Sequence, residues 1–264
     1  MGGDPDLTAP YVFGASVVGP LHVQMGLPCQ DASDYWFHES GLGVIAVADG
    51  LGSAAKSDVG ARTAVAAGLR TAVAAAGSDL TDDTALVGLA RAALIAARQA
   101  LQDRARLEPC DLRDLACTLI VAAIVGDRVA VAHVGDGAVV GQGSDGLRLL
   151  SAPGFSEYAN EVVPLTSDGW QEAVRTTECV SSIKCLALFT DGCQRAALAR
   201  HDDRYVPYGG FFDPVFAYAR ELTDLREAEQ ELRALLASEK LCRNCEDDKT
   251  LVVAVLGGPG PSEP

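Results

Sequence analysis

The chain has 264 residues, is 48% hydrophobic, and carries 36 acidic against 21 basic side chains, for a formal charge of -15. This length suits one large domain that needs no disulfides, and an acidic surface without a Lys/Arg cluster argues against nucleic-acid binding. No signal peptide and no bilayer-spanning stretch is visible, so the eight cysteines are expected to be reduced thiols in a cytoplasm.

The first half of the chain predicts two strands followed by two helices. Short apolar runs over Tyr11–Val18 and Gly41–Ala48 indicate strands, and the second stops at Asp49-Gly50. A helix is predicted over Ser57–Ala76. A second is predicted from an N-cap at Thr81 to about Arg106, and its apolar face is predicted to be Leu86, Leu89, Ala93, Leu94, Ala97 and Leu101. The apolar stripe expected to face the core in the first helix is Val59, Thr63, Ala66, Leu69 and Val73.

The second half predicts mainly strands. Four runs separated by short Gly/Asp turns predict one antiparallel meander: Thr118–Val125, Arg128–Val134, Ala138–Gln142 and Leu147–Leu150. Further strands are predicted over Cys185–Thr190 and Thr250–Leu256. A leucine-rich helix is predicted within 222–236, after a loop containing Pro and Gly.

The predicted organisation is a flexible N-terminus (1–10), a single domain (11–256) and a disordered tail (257–264). Residues 151–183 are too long and irregular for a simple connection. Such segments are commonly functional or mobile, so one of these properties is predicted for this stretch.

Aspartates recur where apolar strands end. They stand in Asp49-Gly50, Gly135-Asp136-Gly137 and Asp191-Gly192, and the pair Asp247-Asp248 precedes the last strand. Each one alone is well explained as a turn, because Asp and Gly both tolerate the left-handed region. Together they indicate a site for Mg²⁺ or Mn²⁺, since these cations prefer oxygen ligands and a rigid strand end aims a carboxylate accurately.

These motifs, in this order, resemble the type 2C, metal-dependent protein phosphatases, over about Tyr11 to Leu256. The motifs are Gln30-Asp31, Val47-Ala48-Asp49-Gly50-Leu51-Gly52-Ser53, Val134-Gly135-Asp136-Gly137, Phe189-Thr190-Asp191-Gly192 and Asp247-Asp248-Lys249-Thr250. The segment 26–31, together with 158–161, is similar to a bacterial subgroup. The resemblance implies an α+β fold, a four-layer αββα sandwich of two antiparallel sheets flanked by helices.

The resemblance also implies roles for individual residues. Asp49 would bridge two divalent cations, Mn²⁺ or Mg²⁺, and Gly50 would offer its carbonyl to the second. Asp191 and Asp247 would bind the first cation. Asp31 would bind a cation or orient its water. The implied reaction is attack of a dimetal-bound water on phosphoserine or phosphothreonine, with Asp31, Asp49 and Asp191 as the catalytic residues.

A third, more weakly held cation would face Asp136 under the same resemblance. Residues 151–183 would match the family's flap beside the active site. Asn160 and Glu161 could shape substrate binding in that flap, or they could be ordinary loop residues. The implied partner is a phosphorylated protein. We expect a cytoplasmic monomer that binds neither nucleic acid nor membrane.

The chain departs from the family pattern at several positions. Gln30 stands where an acid is common, and could hold a water through its carbonyl oxygen. Gly26 stands where an Arg often grips the substrate phosphate, and His22 is the nearby candidate to replace it. Leu51 replaces a His found in some members, and Asp248 replaces a common Asn.

These departures leave two rival functions open. One is a pseudophosphatase, a regulatory module with the fold but weak or no turnover. The other is a hydrolase of small phosphate esters. Separately, Cys242 and Cys245 form a CxxC pair without a second pair for zinc. The preferred interpretation is an incidental pair beside the active loop; the alternative is that its oxidation displaces Asp247.

Overall fold

Two five-stranded antiparallel sheets stack face to face in the computed structural model, which describes residues 10–39, 41–78, 80, 82–154, 162–202 and 204–256. The predicted N-terminal segment, apart from Pro10, and the predicted tail lie outside the described residues, as do Asn160 and Glu161.

The strands in these ranges are β1 (Tyr11–Val17), β2 (Ala32–Phe37), β3 (Leu42–Ala48), β4 (Leu119–Val125), β5 (Arg128–Val134), β6 (Ala138–Gly143), β7 (Gly146–Ser151), β8 (Arg175–Thr176), β9 (Cys185–Phe189), β10 (Leu198–His201), β11 (Arg204–Pro207) and β12 (Lys249–Val255). Sheet A has the order β1-β12-β9-β6-β7, and sheet B has the order β2-β3-β4-β5-β8. Strands β10 and β11 form a separate two-stranded ribbon.

The helices described are α1 (Pro20–Met25), α2 (Ser57–Ala74), α3 (Asp83–Leu107), α4 (Gln194–Ala197), α5 (Gly209–Arg220), α6 (Leu225–Leu236) and α7 (Glu239–Cys242). Helices α2 and α3 pack on the outer face of sheet B, and α5 and α6 pack on that of sheet A. The layers therefore follow the expected αββα order.

The central strands are buried on both faces, which explains their continuous apolar runs. In β3, Ile45 and Val47 face the space between the sheets, whereas Val44 and Ala46 face helices α2 and α3. Alternate strand residues point to opposite faces, so one strand contributes to two cores. The inter-sheet core holds mainly Val, Ile and Leu.

Helix α3 is long and apolar enough to cross a membrane by length and hydropathy alone. Its six predicted core residues are all buried: Leu86, Leu89, Ala93, Leu94, Ala97 and Leu101. This face packs against α2, β4 and β5, as expected for a helix covering a sheet. Its N-cap is Asp82, whose side chain accepts from the Thr84 amide; the predicted cap Thr81 lies outside the described residues.

The prediction of one four-stranded meander is wrong. Strands β4 and β5 belong to sheet B, whereas β6 and β7 belong to sheet A. The segment Gly135-Asp136-Gly137 therefore crosses between sheets instead of forming a hairpin turn. Strand β6 pairs with β9, whose residues come more than forty positions later, and a local pattern does not reveal such a partner.

The predicted stripe of α2 is also wrong in part. Ala66 and Val73 are exposed, and the buried face is made of small residues: Gly60, Ala61, Ala64, Ala67, Gly68 and Ala72. Small side chains let the helix approach sheet B and the turn at 112–115 closely. The predicted loop before the leucine-rich helix contains α5, which buries Phe211, Phe212 and Phe216.

Gly60→Ala should destabilise the protein, although Ala usually stabilises a helix by about 1 kcal/mol relative to Gly. A Cβ at Gly60 would overlap the carbonyl oxygen of Leu115, so we expect a loss of roughly 1–3 kcal/mol from overpacking. The matched control is Gly88→Ala in α3, where a Cβ meets nothing within 4 Å. Urea unfolding should show opposite shifts of the two midpoints, and shifts of the same sign would contradict this packing.

Candidate metal centre

The loops that carry the predicted acids meet at one end of the sandwich. Asp31 immediately precedes β2, Asp49 follows β3, Asp136 joins β5 to β6, Asp191 follows β9, and Asp247 lies two residues before β12. Neighbouring strands are antiparallel, so the end of one lies beside the start of the next. Asp49 accordingly feels the charges of all four other aspartates.

Asp31 is held through one of its two carboxylate oxygens. Its Oδ2 accepts hydrogen bonds from the hydroxyls of Thr190 (2.8 Å) and Thr250 (2.7 Å). Thr190 in turn accepts from the Thr250 amide. The other oxygen, Oδ1, is buried and has no hydrogen-bond partner among the described residues, so it is available to a ligand.

Asp49 and Gly50 are fixed through their backbone. The Asp49 amide donates to the Thr118 hydroxyl at 2.9 Å, and the Asp49 carbonyl accepts from the Thr118 amide at 2.7 Å. A Cβ at Gly50 would lie 2.8 Å from the Gln30 carbonyl oxygen and 2.8 Å from Ser57. This close approach requires glycine.

Asp191 opens a single 3₁₀ turn, Asp191–Cys193. Its Oδ1 is buried without a hydrogen-bond partner among the described residues. A Cβ at the following Gly192 would overlap the carbonyl oxygen of Asp248. Glycine at position 192 therefore lets the backbone after Asp191 lie close to the backbone of Asp248. This packing requires glycine in addition to any requirement of the turn itself.

Asp248 ties three segments of the site together. It is 2% exposed. Its Oδ1 accepts from the Gly19 amide and its Oδ2 from the Gln30 amide, both at 2.6 Å, while its own amide donates to Asp247 Oδ1 at 2.8 Å. Asp248 thus anchors the segment that leads to Asp31. It stands where the phosphatases that the chain resembles commonly have Asn.

His22 points into this anchor. Its Nδ1 lies 3.0 Å from Asp248 Oδ2, which is ion-pair distance, but without the alignment of a hydrogen bond. The side chain is buried. The predicted substrate-binding residue is therefore placed against Asp248. Gln30 is also buried, and its Oε1 has no partner among the described residues.

Burial and mutual repulsion raise the pKa values of these acids. Desolvation, partly offset by the Thr250 and Thr190 hydrogen bonds, raises the pKa of Asp31 from 3.8 to about 7. Desolvation, and then the charge of Asp191, raises the pKa of Asp136 to about 6. The pKa of Asp49 lies well above its ordinary value because of desolvation and then Asp31, and the pKa of Asp191 is raised by desolvation and then Asp247.

This arrangement fits hard divalent cations. Its donors are carboxylate and carbonyl oxygens, and two buried carboxylate oxygens, on Asp31 and Asp191, have no partner among the described residues. His22, Asp247 and Asp248 also place potential ligand atoms within 4.8 Å of one another. Both oxygens of Asp248 already accept amide hydrogens, so the group around Asp49 is the better candidate.

The sequence did not reveal the residues that hold the acids. Thr118, Thr190 and Thr250 contact Asp49 or Asp31 directly. Threonine is common in strands, and no local pattern distinguishes these three.

The two cysteines of the CxxC pair are both free thiols. Cys242 Sγ donates to the Ala237 carbonyl oxygen at 3.7 Å, and burial raises the pKa of Cys245.

Comparisons with known proteins show which family the chain belongs to. The family model described as protein phosphatase 2C matches residues 18–237. The chain is 32% identical over 251 residues to serine/threonine-protein phosphatase 3 of Escherichia coli (strain K12), covering 91% of this chain and 96% of that protein.

Solved structures show the same fold at low identity. A bacterial serine phosphatase has a TM-score of 0.66 at 13% identity, covering 96% of this chain and 99% of that one. Stp1 from Staphylococcus aureus has a TM-score of 0.65 at 13%, covering 98% and 100%. PppA, a key regulatory component of T6SS in Pseudomonas aeruginosa, has a TM-score of 0.61 at 21%, covering 95% and 99%.

In chelator, the free energy of unfolding should rise as the pH falls from about 7 toward about 4. The raised pKa values of Asp31 and Asp136 mean that the folded state binds more protons than the unfolded state in this window, so each extra proton adds about 1 kcal/mol per pH unit. Denaturant titrations from pH 5 to 8 measure this slope. Asp31→Asn should flatten it, and a stability that increases with pH in chelator would refute the raised values.

Asp248→Asn should destabilise the protein by roughly 1–3 kcal/mol, because one buried amide then faces an NH₂ group instead of an oxygen. Thermal and urea unfolding in chelator measure the loss without any contribution from metal. The matched control is Asp213→Asn, an exposed residue of α5, which should be neutral. Equal stabilities of the two variants would show that Asp248 is not an anchor.

Proposed function

The chain belongs to the protein phosphatase 2C family, and from this premise we propose that it hydrolyses phosphoserine and phosphothreonine in protein substrates with the help of two bound Mn²⁺ or Mg²⁺ ions. The observation that carries the proposal is the convergence of Asp31, Asp49 and Asp191 in one desolvated cluster with unpartnered carboxylate oxygens. Retention of these carboxylates opposes the pseudophosphatase alternative.

The proposed ligands of the cations are assigned from which acids lie close to one another. Asp49 lies among the other acids and is the candidate to bridge the two ions, with the Gly50 carbonyl beside it. Asp191, whose pKa is raised by desolvation and then by the charge of Asp247, would bind the first ion together with Asp247. Asp136 feels Asp191 and Asp247 as well, and would face a third, weaker ion.

When bound, the ions would act as Lewis acids that activate water and offset negative charge on the phosphoryl oxygens. The protein's part is orientation. The hydroxyls of Thr190 and Thr250 hold Asp31 Oδ2, which leaves Oδ1 as the oxygen that can accept a hydrogen bond from the attacking water. The buried setting limits competition from bulk water.

Substrate grip is proposed to depend mainly on the ions. No Arg stands at position 26, and His22 is turned toward Asp248. His22 is thereby better suited to hold the Asp248 anchor than to bind phosphate. Gln30 Oε1, buried near Gly52, remains a candidate to hold a water. A cytoplasmic location and a monomeric state remain predictions.

Hydrolysis of an aryl phosphate should require Mn²⁺ or Mg²⁺ and should stop in chelator. Asp191→Asn should lower turnover by about 100-fold or more, because it removes a charged ligand that the chemistry needs. Asp213→Asn is the surface control and should retain wild-type turnover. Initial rates at saturating metal, with circular dichroism to confirm folding, make the comparison.

Two other outcomes would revise the proposal. A wild-type chain that binds two ions by calorimetry without turnover would be a pseudophosphatase, and a chain that binds no ion would show that the aspartates are structural. A panel of phosphopeptides against small phosphomonoesters tests the substrate class. Higher kcat/KM for the small esters would contradict a protein substrate.

A further inference from the structure

Arg175, in β8, places a half-buried guanidinium against backbone and imidazole. Its Nη2 donates to the Gly135 carbonyl oxygen and lies 3.1 Å from Nδ1 and 3.3 Å from Nε2 of His133. The ion pairs found in the described part of the chain do not include it. A partly desolvated cation therefore lies beside the residue that precedes Asp136.

His133 is a neutral partner in this contact. It is fully buried in β5 and directly opposite Arg175 in the strand register. Burial and the Arg175 charge hold its pKa well below 6.5. Its Nδ1 also lies 2.9 Å from the hydroxyl of Ser151, at the end of β7. His133 thus lies between Arg175, of its own sheet, and Ser151, of the other sheet.

The Gly135 carbonyl is a meeting point of three segments. Besides Arg175, it accepts a hydrogen bond from the Gly154 amide at 3.2 Å. A Cβ at Gly154 would overlap Nη1 of Arg175, so glycine is needed above the guanidinium. Gly135 itself has φ +118° and is packed against Thr118, which leaves it no room for a side chain.

We propose that Arg175 is a positioning residue, which fixes the Gly135 carbonyl and thereby aims Asp136 at the weakest of the bound cations. Through this carbonyl, Gly154 and Arg175 both contact the residue that precedes Asp136. Arg175 lies close enough to Asp136 for its charge to stabilise that carboxylate. The inference deepens the proposed function and rests on it for its catalytic consequence, but its effect on metal binding stands apart.

The test compares Arg175→Met and Arg175→Lys with a control, Arg148→Met, whose side chain pairs with Asp145 at the surface of β7. Calorimetric titration with Mn²⁺ should show the weakest site of Arg175→Met weakened by about tenfold, as expected when the partner of a ligand is removed. For an aryl phosphate, kcat should fall by about tenfold while KM changes by less than about threefold. Arg175→Lys should be intermediate, and Arg148→Met should match wild type.

Three results would overturn the inference. Unchanged Mn²⁺ titration and kcat in Arg175→Met would remove any role. A large rise in KM with unchanged Mn²⁺ titration would make Arg175 a direct phosphate ligand instead. If Arg175→Met does not fold, Gly154→Ala, which displaces the guanidinium, decides, and wild-type Mn²⁺ affinity in that variant counts against the proposal.

The outcomes also separate this inference from the proposed function. If wild type binds Mn²⁺ but hydrolyses nothing, the phosphatase proposal fails. Loss of the weakest Mn²⁺ site in Arg175→Met would still support the positioning role in that case. Full turnover in wild type with no effect of Arg175→Met would support the phosphatase proposal and contradict the positioning role of Arg175.

Discussion

Four carboxylates are gathered where burial removes the water that would weaken their repulsion, and the rest of the site is arranged around that cost. Desolvation raises the pKa values of Asp31, Asp49, Asp136 and Asp191. A folded chain tolerates this only if the acids bind protons or cations. One carboxylate oxygen each of Asp31 and Asp191 has no hydrogen-bond partner among the described residues. Both oxygens are therefore available as ligands for cations.

Rigid scaffolding keeps such a cluster in place. Each acid lies at or near the end of a strand, and contacts from outside the cluster hold either the carboxylate of an acid or the backbone beside it. Thr118 fixes Asp49, Thr190 and Thr250 fix Asp31, and Asp248 joins the segment before β2 to the start of β12. Arg175 extends this support to the crossing between the two sheets.

Local patterns predicted most strands and the face of α3, because a strand buried on both sides is a short, continuous apolar run and a wide leucine face is unmistakable. They failed where packing depends on distant partners. The β5–β6 connection was predicted to be a turn within one sheet, but it crosses between the two sheets. The partner of β6 is β9, which lies far along the chain, so the sequence around β6 does not reveal this pairing. The buried face of α2 was predicted only in part, Leu69 correctly and Ala66 and Val73 wrongly, because close packing there selects mainly small residues over the most hydrophobic ones.

The sequence by itself determined the family resemblance, the αββα architecture that it implies, and the identity of the clustered acids, because ordered motifs and strand-end aspartates are local features. Only the tertiary structure decided how those acids are held. Three contacts each join residues far apart in the chain: His22 with Asp248, Asp31 with Thr190 and Thr250, and Arg175 with Gly135. Such contacts are set by how the two sheets stack, a property that no single segment contains.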